Sequence, residues 1–264
     1  MALPFVRWAG GKRIIMDDIM QRVPKKWNHY YEPFLGGGAV FFQLEEYGPI
    51  RATLSDANEE LINAYLMLQT RPVDVIDRLR EHREAHDIKH FYRTRAQHVL
   101  FNPAARAARF IYLSKTVYYG KYRVNSQNRY NTSLGSLKKT GILDVANIKD
   151  VHDALVGVTI RAQQFDAISP GEGDLVYCDP PYDNAVTDYT AQRFSSDDQT
   201  RLRDCCDTWR AAGAHVIVSN NDTPFIRELW RDWTQHKVVA RRNLFSETYK
   251  ERAAELLMVG NGST

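Results

Sequence analysis

Tyr30-Tyr31-Glu32-Pro33-Phe34-Leu35-Gly36-Gly37-Gly38-Ala39-Val40-Phe41-Phe42 decides how this chain folds. A short apolar and aromatic run meets three glycines, and Ala39 to Phe42 then reads as the opening of a helix. A second strand, Ala52-Thr53-Leu54, ends in Ser55-Asp56. Ser55, Asp56 or Asn58 can each cap a following helix that carries Leu61, Ile62, Tyr65 and Leu68 on one face. Strand, glycine turn, helix, strand and acid together open a doubly wound α/β sheet of the Rossmann-like kind.

The same pattern resumes far along the chain. Asp174-Leu175-Val176-Tyr177-Cys178 and His215-Val216-Ile217-Val218-Ser219 read as buried strands, and Glu255 to Val259 as a last one. Between the first two, Asp197 to Ala212 has helical spacing in Leu202, Cys205, Cys206 and Trp209, with Ser195 and Asp198 at capping-box distance. Residues 71–156 interrupt the α/β pattern with helical runs at Val73 to Arg83 and Pro103 to Leu113, and with a Gly/Asn/Ser-rich loop from Tyr119 to Gly135. The expected architecture is a catalytic α/β domain made of residues 1–70 and 157–264. A mostly helical recognition domain, 71–156, is inserted into it.

Charge separates these parts. Formal net charge is only +3, yet Ile88 to Leu143 holds eleven of the 35 basic side chains and none of the 32 acidic ones. The rest of the chain is left with 24 basic and 32 acidic groups, a net of −8. Aromatic residues such as Tyr92, Tyr118, Tyr122 and Tyr130 alternate with the cations. A basic face interleaved with rings suits a polyanion that also offers flat surfaces, namely nucleic acid; an ordinary basic surface over an aromatic core is the plainer alternative.

Other classes are poorly served. No run of about 18 apolar residues is present, so no membrane span is expected, and the N-terminal residues lack the pattern of a secretory signal. The cysteines Cys178, Cys205 and Cys206 have no metal-binding spacing and fit a reducing cytoplasm. No metal site is expected.

The most specific chemical signal is Asp179-Pro180-Pro181-Tyr182, directly after a buried strand. In open α/β sheets, catalysis sits at the carboxyl ends of strands. A ring amine such as N6 of adenine is a poor nucleophile because its lone pair is delocalised. A carboxylate from Asp179 and the carbonyl of Pro180, both accepting hydrogen bonds from that amine, would localise the lone pair. Tyr182 offers a ring for the base to stack on. Asp-Pro-Pro also occurs in ordinary turns. Strand alternation turns Cys178 away from Asp179, which makes Cys178 a packing residue.

The glycines of Glu32 to Gly38 let backbone approach a cofactor closely. The stretch is not a dinucleotide fingerprint, and no basic residue follows to hold a phosphate. Asp56, at the end of the next strand, stands where an acid binds ribose hydroxyls; its alternative is a helix cap. Trp8-Ala9-Gly10-Gly11-Lys12 lacks the spacer and hydroxyl residue of a P-loop, and taken alone Lys12 reads as a surface lysine.

In combination these stretches resemble the Dam-type, class alpha (D12) adenine-N6 DNA methyltransferases. Trp-Ala-Gly-Gly-Lys, Glu-Pro-Phe-Leu-Gly-Gly-Gly, Ser-Asp-Ala-Asn and Asp-Pro-Pro-Tyr occur in the family's order. So do Arg109 to Leu113, Gly120 to Asn125, Tyr130-Asn131, Ser219 to Thr223 and Glu255 to Leu257. The resemblance covers nearly the whole chain. It implies S-adenosyl-L-methionine as methyl donor, with S-adenosyl-L-homocysteine as product. Trp8 and Lys12 would contact the donor. Glu32, Phe34, Gly36 and Gly38 would surround its methionine part, Asp56 its ribose and Phe165 its adenine. Asp179 would border both donor and target base, with Pro180 and Tyr182 on the base. Tyr119, Lys121, Arg123 and Asn125 would meet DNA, Arg123 as a reader of bases.

The same resemblance implies double-stranded DNA as substrate, extrusion of the adenine, and direct transfer without a covalent enzyme intermediate. It implies a cytoplasmic enzyme of a bacterial, archaeal or phage-infected cell. A cognate restriction endonuclease would be paired in function but not bound. Relatives that methylate GATC usually carry Asn before the glycine at position 120. They also have a hydrophobic residue at position 121, and Pro-Phe or Pro-Tyr at 133 and 134. This chain has Tyr119, Lys121 and Ser133-Leu134, so a GATC-like site is implied with departures where bases are read. Cytosine-N4 enzymes usually show Ser where Asp179 stands, and amide-modifying ones Asn. A non-catalytic DNA-binding module would have little use for Lys12, Asp56 and Asp179 together.

Overall fold

A computed structural model describes residues 1–8, 11–97, 100–118, 123–125, 129–135, 137–183, 194–239 and 254–262. After a short helix α1 (Met16–Met20), strand β1 (Tyr30–Glu32), helix α2 (Ala39–Glu45), strand β2 (Ala52–Asp56) and helix α3 (Glu59–Thr70) follow. Four helices come next: α4 (Pro72–Glu84), α5 (Ile88–Ala96), α6 (Pro103–Thr116) and α7 (Val145–Leu155). The chain then returns to the sheet through β3 (Thr159–Ala162), β4 (Leu175–Cys178), α8 (Ser196–Ala211) and β5 (His215–Asn221). Helix α9 (Pro224–Leu229), β6 (Thr234–Val239) and β7 (Ala254–Gly260) complete it.

The seven strands form one sheet in the order β3-β2-β1-β4-β5-β7-β6. β1 to β5 pair in parallel, whereas β7 runs antiparallel between β5 and β6. Parallel strands covered on both faces are apolar throughout, and all four residues of β4 are buried. Alternation sorts their side chains. Leu175, Tyr177, Ile217 and Leu257 join the core on one face; Val176, Cys178, Val216, Val218, Leu256 and Met258 join that on the other. Cys178 is a fully buried free thiol in this packing, as its place in the strand predicts.

Local chemistry starts and stops the helices where the sequence suggests. Of the three candidate caps, Asn58 does the work: its side chain accepts from Glu60 and Leu61 N–H at the start of α3. Ser195 and Asp198 form the expected capping box on α8. The helices of the 71–156 stretch share one apolar core with the sheet. Val75, Leu79, Phe91, Ile111 and Val151 belong to the same cluster as Tyr30, Val40 and Leu54. Among the described residues, no helix is long and apolar enough to cross a membrane.

Helices α4, α5 and α6 meet at a histidine–tyrosine cluster. His82 Nδ1 lies 2.9 Å from His90 Nε2, and the His82 ring stacks on Tyr112 at 4.7 Å. Burial, with His90, Arg109 and Arg78 nearby, pushes His82 down to about 4 from the ordinary 6.5. The folded protein therefore keeps His82 neutral, while the unfolded chain takes up a proton below about 6.5. The stability this gives is complete above that value and is lost as pH falls through about 4. His82→Phe keeps the stacking and removes the proton linkage. Thermal melts should show a shallower loss of stability in this variant between those two pH values; an unchanged slope would remove His82 as its source.

Candidate active site

The strand order reverses between β1 and β4, which lie side by side but lead to opposite halves of the sheet. Loops leaving the carboxyl ends of such a pair diverge and open a crevice. Glu32 ends β1, Asp56 ends β2, and Asp179 follows β4. The sheet's own topology thus draws residues from distant parts of the sequence to one edge.

Asp179 is held from two sides. Lys12 Nζ is 2.7 Å from its Oδ2, and the Ser219 hydroxyl donates to its Oδ1 at 2.9 Å. The Lys12 side chain is 5% exposed and that of Asp179 23%, so the cation is the more deeply placed partner. A charge this buried persists because it is paired. This corrects the reading of Lys12 as a surface lysine: the short turn at Lys12–Ile14 tucks it under the sheet edge. Ser219 reaches Asp179 because β5 is the neighbour of β4. It is also 3.1 Å from the Tyr177 hydroxyl, which rises from β4 itself.

Pro180 is buried, and Tyr182 is half-buried beside it. The Tyr182 hydroxyl donates to Glu255 Oε2 at 2.6 Å, and Lys12 Nζ sits 5.0 Å from its ring centroid. Burial, followed by the Asp179 and Glu255 carboxylates, pushes this hydroxyl far above the tyrosine range, so it stays a phenol. Glu255 reaches the site because β7 pairs it with Asn221 of β5.

The glycine loop forms the other wall. Gly36 and Gly38 adopt φ of +49° and +67°, which side-chain-bearing residues rarely take. A Cβ on Gly36 would lie 2.8 Å from Trp8 Cδ1, so the indole packs directly on backbone. Gly36 N–H donates to Asp56 Oδ2 at 3.0 Å, and Asn58 N–H donates to Asp56 Oδ1 at 2.9 Å. Asp56 therefore ties β2 to the glycine loop while Asn58 caps the helix. Burial raises its carboxyl, opposed by those two N–H groups.

Glu32 is only 2% exposed. It accepts from the Tyr30 hydroxyl at 2.8 Å and from Phe41 N–H. Burial pushes its carboxyl up to about 8, with Asp179 and Asp56 adding to the rise against the Tyr30 and Phe41 hydrogen bonds. Phe34 stacks on Phe165 at 5.3 Å, Phe194 meets Phe34 edge-on, and the Arg201 guanidinium covers Phe165 at 4.7 Å. Trp8, Lys12, Glu32, Phe34, Gly36, Gly38, Asp56, Phe165, Asp179, Pro180 and Tyr182 thus gather around the carboxyl ends of the first four strands.

Arg123 and Asn125 stand elsewhere, beside an isolated bridge in which Val124 pairs with Tyr130 and Asn125 N–H donates to the Arg129 carbonyl. Arg123 is exposed and Asn125 half-buried. Tyr119 and Lys121 lie outside the described residues. Ser219 and Glu255 carry no role in the reading of the sequence alone. Both stand in stretches that match the family's order, but only strand register brings them to Asp179 and Tyr182.

A profile of the family described as D12 class N6 adenine-specific DNA methyltransferase matches residues 8–244. The type II methyltransferase M1.LlaDCHI of Lactococcus lactis subsp. cremoris is 34% identical, over 98% of this chain and 96% of its own length. The type II methyltransferase M.MjaIII of Methanocaldococcus jannaschii is 32% identical, over 97% and 98%. The DNA adenine methylase of Vibrio cholerae is 29% identical, over 91% and 89%. With a fold, a strand-end carboxylate and a glycine loop in keeping with that match, the chain belongs to the D12 class of N6 adenine-specific DNA methyltransferases.

Proposed function

We propose that this adenine-N6 DNA methyltransferase uses Asp179, Pro180 and Tyr182 to hold an adenine extruded from duplex DNA, beside S-adenosyl-L-methionine bound along the Trp8, Glu32–Gly38, Asp56 and Phe165 wall. The observation that carries the reading is the Asp179 carboxylate. It is fixed by Lys12 and Ser219 at the point where the strand order reverses, next to a half-buried tyrosine ring. Each carboxylate oxygen already takes one donor and keeps a further lone pair for the target amine. The Pro180 carbonyl, between two rigid proline rings, is the second acceptor. Two such acceptors draw the nitrogen lone pair out of the ring, and both are in place before the reaction. Tyr182 stacks the base, which offsets part of the few kcal/mol that extrusion costs.

The residues of the other wall suit this methyl donor. Gly36 lets Trp8 pack directly on backbone, and the half-buried Phe34 ring, backed by the buried Phe165, lines the wall where an adenine would lie. Asp56 and Glu32 bring carboxylates to an end of the sheet with no phosphate-binding lysine pattern. When bound, S-adenosyl-L-methionine supplies an electrophilic methyl group and is converted to S-adenosyl-L-homocysteine. Asp56 would orient its ribose and the Glu32–Gly38 loop its methionine part. Lys12, paired with Asp179, holds that carboxylate in its orientation. Asp179 is then the nearby acceptor for the proton the amine sheds.

The basic stretch within residues 71–156 is the proposed DNA-reading part, with Tyr119, Lys121, Arg123 and Asn125 at the bases of a short duplex site. Two relatives are named type II methyltransferases. Functional pairing with a restriction endonuclease, without a stable complex, belongs to the same reading, as does action in the cytoplasm.

Three outcomes are expected. Asp179→Asn should lower methyl transfer by about 100-fold or more, the scale of losing one critical electrostatic contact. Labelled methyl transfer followed by nucleoside analysis measures this, and near-normal transfer to adenine would refute the role. Arg123→Ala should weaken discrimination at one base pair by roughly 1–3 kcal/mol; equal loss on every sequence would make Arg123 a phosphate contact. Glu32 is protonated in the fold up to about 8 but only to about 4.5 when unfolded, so stability falls as pH rises between those values. Glu32→Gln should flatten that fall in melts across the range, and a parallel curve would show that Glu32 is not its source.

A further inference from the structure

We infer that Gln199 of α8 and Asn220 of β5 form a buried amide clamp that positions Tyr182 by fixing the peptide groups on both sides of it. The inference rests on the reading of Tyr182 as the ring that receives the target base. Neither residue touches that base in the proposed mechanism; both act through the backbone.

The geometry is closed and directional. Gln199 Nε2 donates to the Pro181 carbonyl at 2.9 Å, and Gln199 Oε1 accepts from Asn220 Nδ2 at 3.0 Å. Asn220 Oδ1 in turn accepts from Asp183 N–H at 3.2 Å and from Asn221 N–H at 2.9 Å. Gln199 and Asn220 are 1% and 0% exposed, so water does not substitute for these bonds. A carbonyl at one end can only accept and an N–H at the other can only donate. Both amides therefore have one permitted orientation.

Pro181 and Asp183 flank Tyr182. The two peptide planes that set the Tyr182 φ and ψ are thus the two groups the clamp holds. They lie beyond the end of β4, where no strand neighbour pairs them. The Pro181 ring fixes the φ before them. Asn221 Nδ2 donates to the Asp183 carbonyl and the Thr223 hydroxyl to Asp183 Oδ2, which secures the far side. The Tyr182 hydroxyl bond to Glu255 then fixes the ring itself. Gln199 and Asn220 are each bonded at both ends of the amide, while Asn221 Oδ1 at the margin is buried without a partner among the described residues; a buried network bonded in this way rigidifies what it contains. A shift of about 1 Å in a positioned group can cost about 100-fold in rate.

Gln199→Met keeps length and removes both polar ends. Asn220→Asp keeps the acceptor for two N–H groups but sets a carboxylate oxygen against Gln199 Oε1 in place of the donor, and it serves if Gln199→Met does not fold. Single-turnover methyl transfer should slow by about 10- to 100-fold in either variant. 2-Aminopurine at the target position, quenched where it stacks on Tyr182, should brighten. Affinity for S-adenosyl-L-methionine should stay within about twofold, and the double variant should be no slower than the worse single one, as for residues acting as a unit. Folded variants with parental rate and fluorescence would overturn the clamp. So would losses that multiply in the double variant, or a matching loss of donor affinity. Asp179→Asn run alongside separates the two ideas. If it stays active, the reading of the site fails; if it is inactive while the Gln199 and Asn220 variants are normal, the clamp alone fails.

Discussion

A carboxylate at the end of a buried strand has to be kept charged and aimed without being drowned in solvent. Asp179 meets both demands through Lys12 and Ser219, one from the N-terminal turn and one from the next strand. Neither partner is optional in this setting. Without Lys12 the carboxylate would face the neighbouring Glu32 and Asp56 acids uncompensated, and their repulsion already helps raise Glu32. Without Ser219 the Tyr177 hydroxyl beneath would lose its buried partner. The N-terminal turn and β5 are therefore coupled through one carboxylate.

That coupling explains the division of labour among the acids. Glu32 and Asp56 sit close to Asp179, yet among the described residues only Asp179 has a cation in contact. Glu32 is held by a hydroxyl and one N–H, and burial keeps it protonated near neutrality; Asp56 is tied into the backbone of the glycine loop and α3. Three carboxyl groups at one sheet edge are tolerable because each has its own partners: a cation and a hydroxyl for Asp179, a hydroxyl and an N–H for Glu32, and two N–H groups for Asp56. The one paired with a cation and left partly exposed is the one beside the tyrosine ring.

Legibility of the sequence followed burial and distance along the chain. β1, β2, β4, β5 and β7 could be read because their apolar runs end in glycines or acids. β3 and β6 could not: they are the outer strands, where Thr159, Arg161 and Ala162 are exposed and Thr234-Gln235-His236-Lys237 is polar. The antiparallel placement of β7 between β5 and β6 has no local signature either. The same limit applies to the site. Asp179, Tyr182 and the glycine loop are contiguous motifs with their own backbone logic. Ser219, Glu255, Gln199 and Asn220 gain meaning only from register between strands and from the angle at which α8 packs on them.

The carboxylate-free stretch from Ile88 to Leu143 carries two kinds of cation, and the fold separates them. Arg109 donates to the carbonyls of Thr94 and Arg95, joining α6 to the end of α5. Arg106 pairs with Glu60 on α3, and Lys139 reaches the Glu84 carbonyl at the end of α4. Arg95 caps the Asn131–Thr132 backbone and lies over the Tyr92 ring. These groups find their acceptors in backbone oxygens or in acids from outside the stretch, because the stretch contains no acids of its own. Basic composition thus serves architecture first. Arg95 ties the Thr132 carbonyl, next to the Asn131 N–H that bonds the Arg123 carbonyl, to α5; in the proposed role Arg123 can discriminate only if that mounting is rigid.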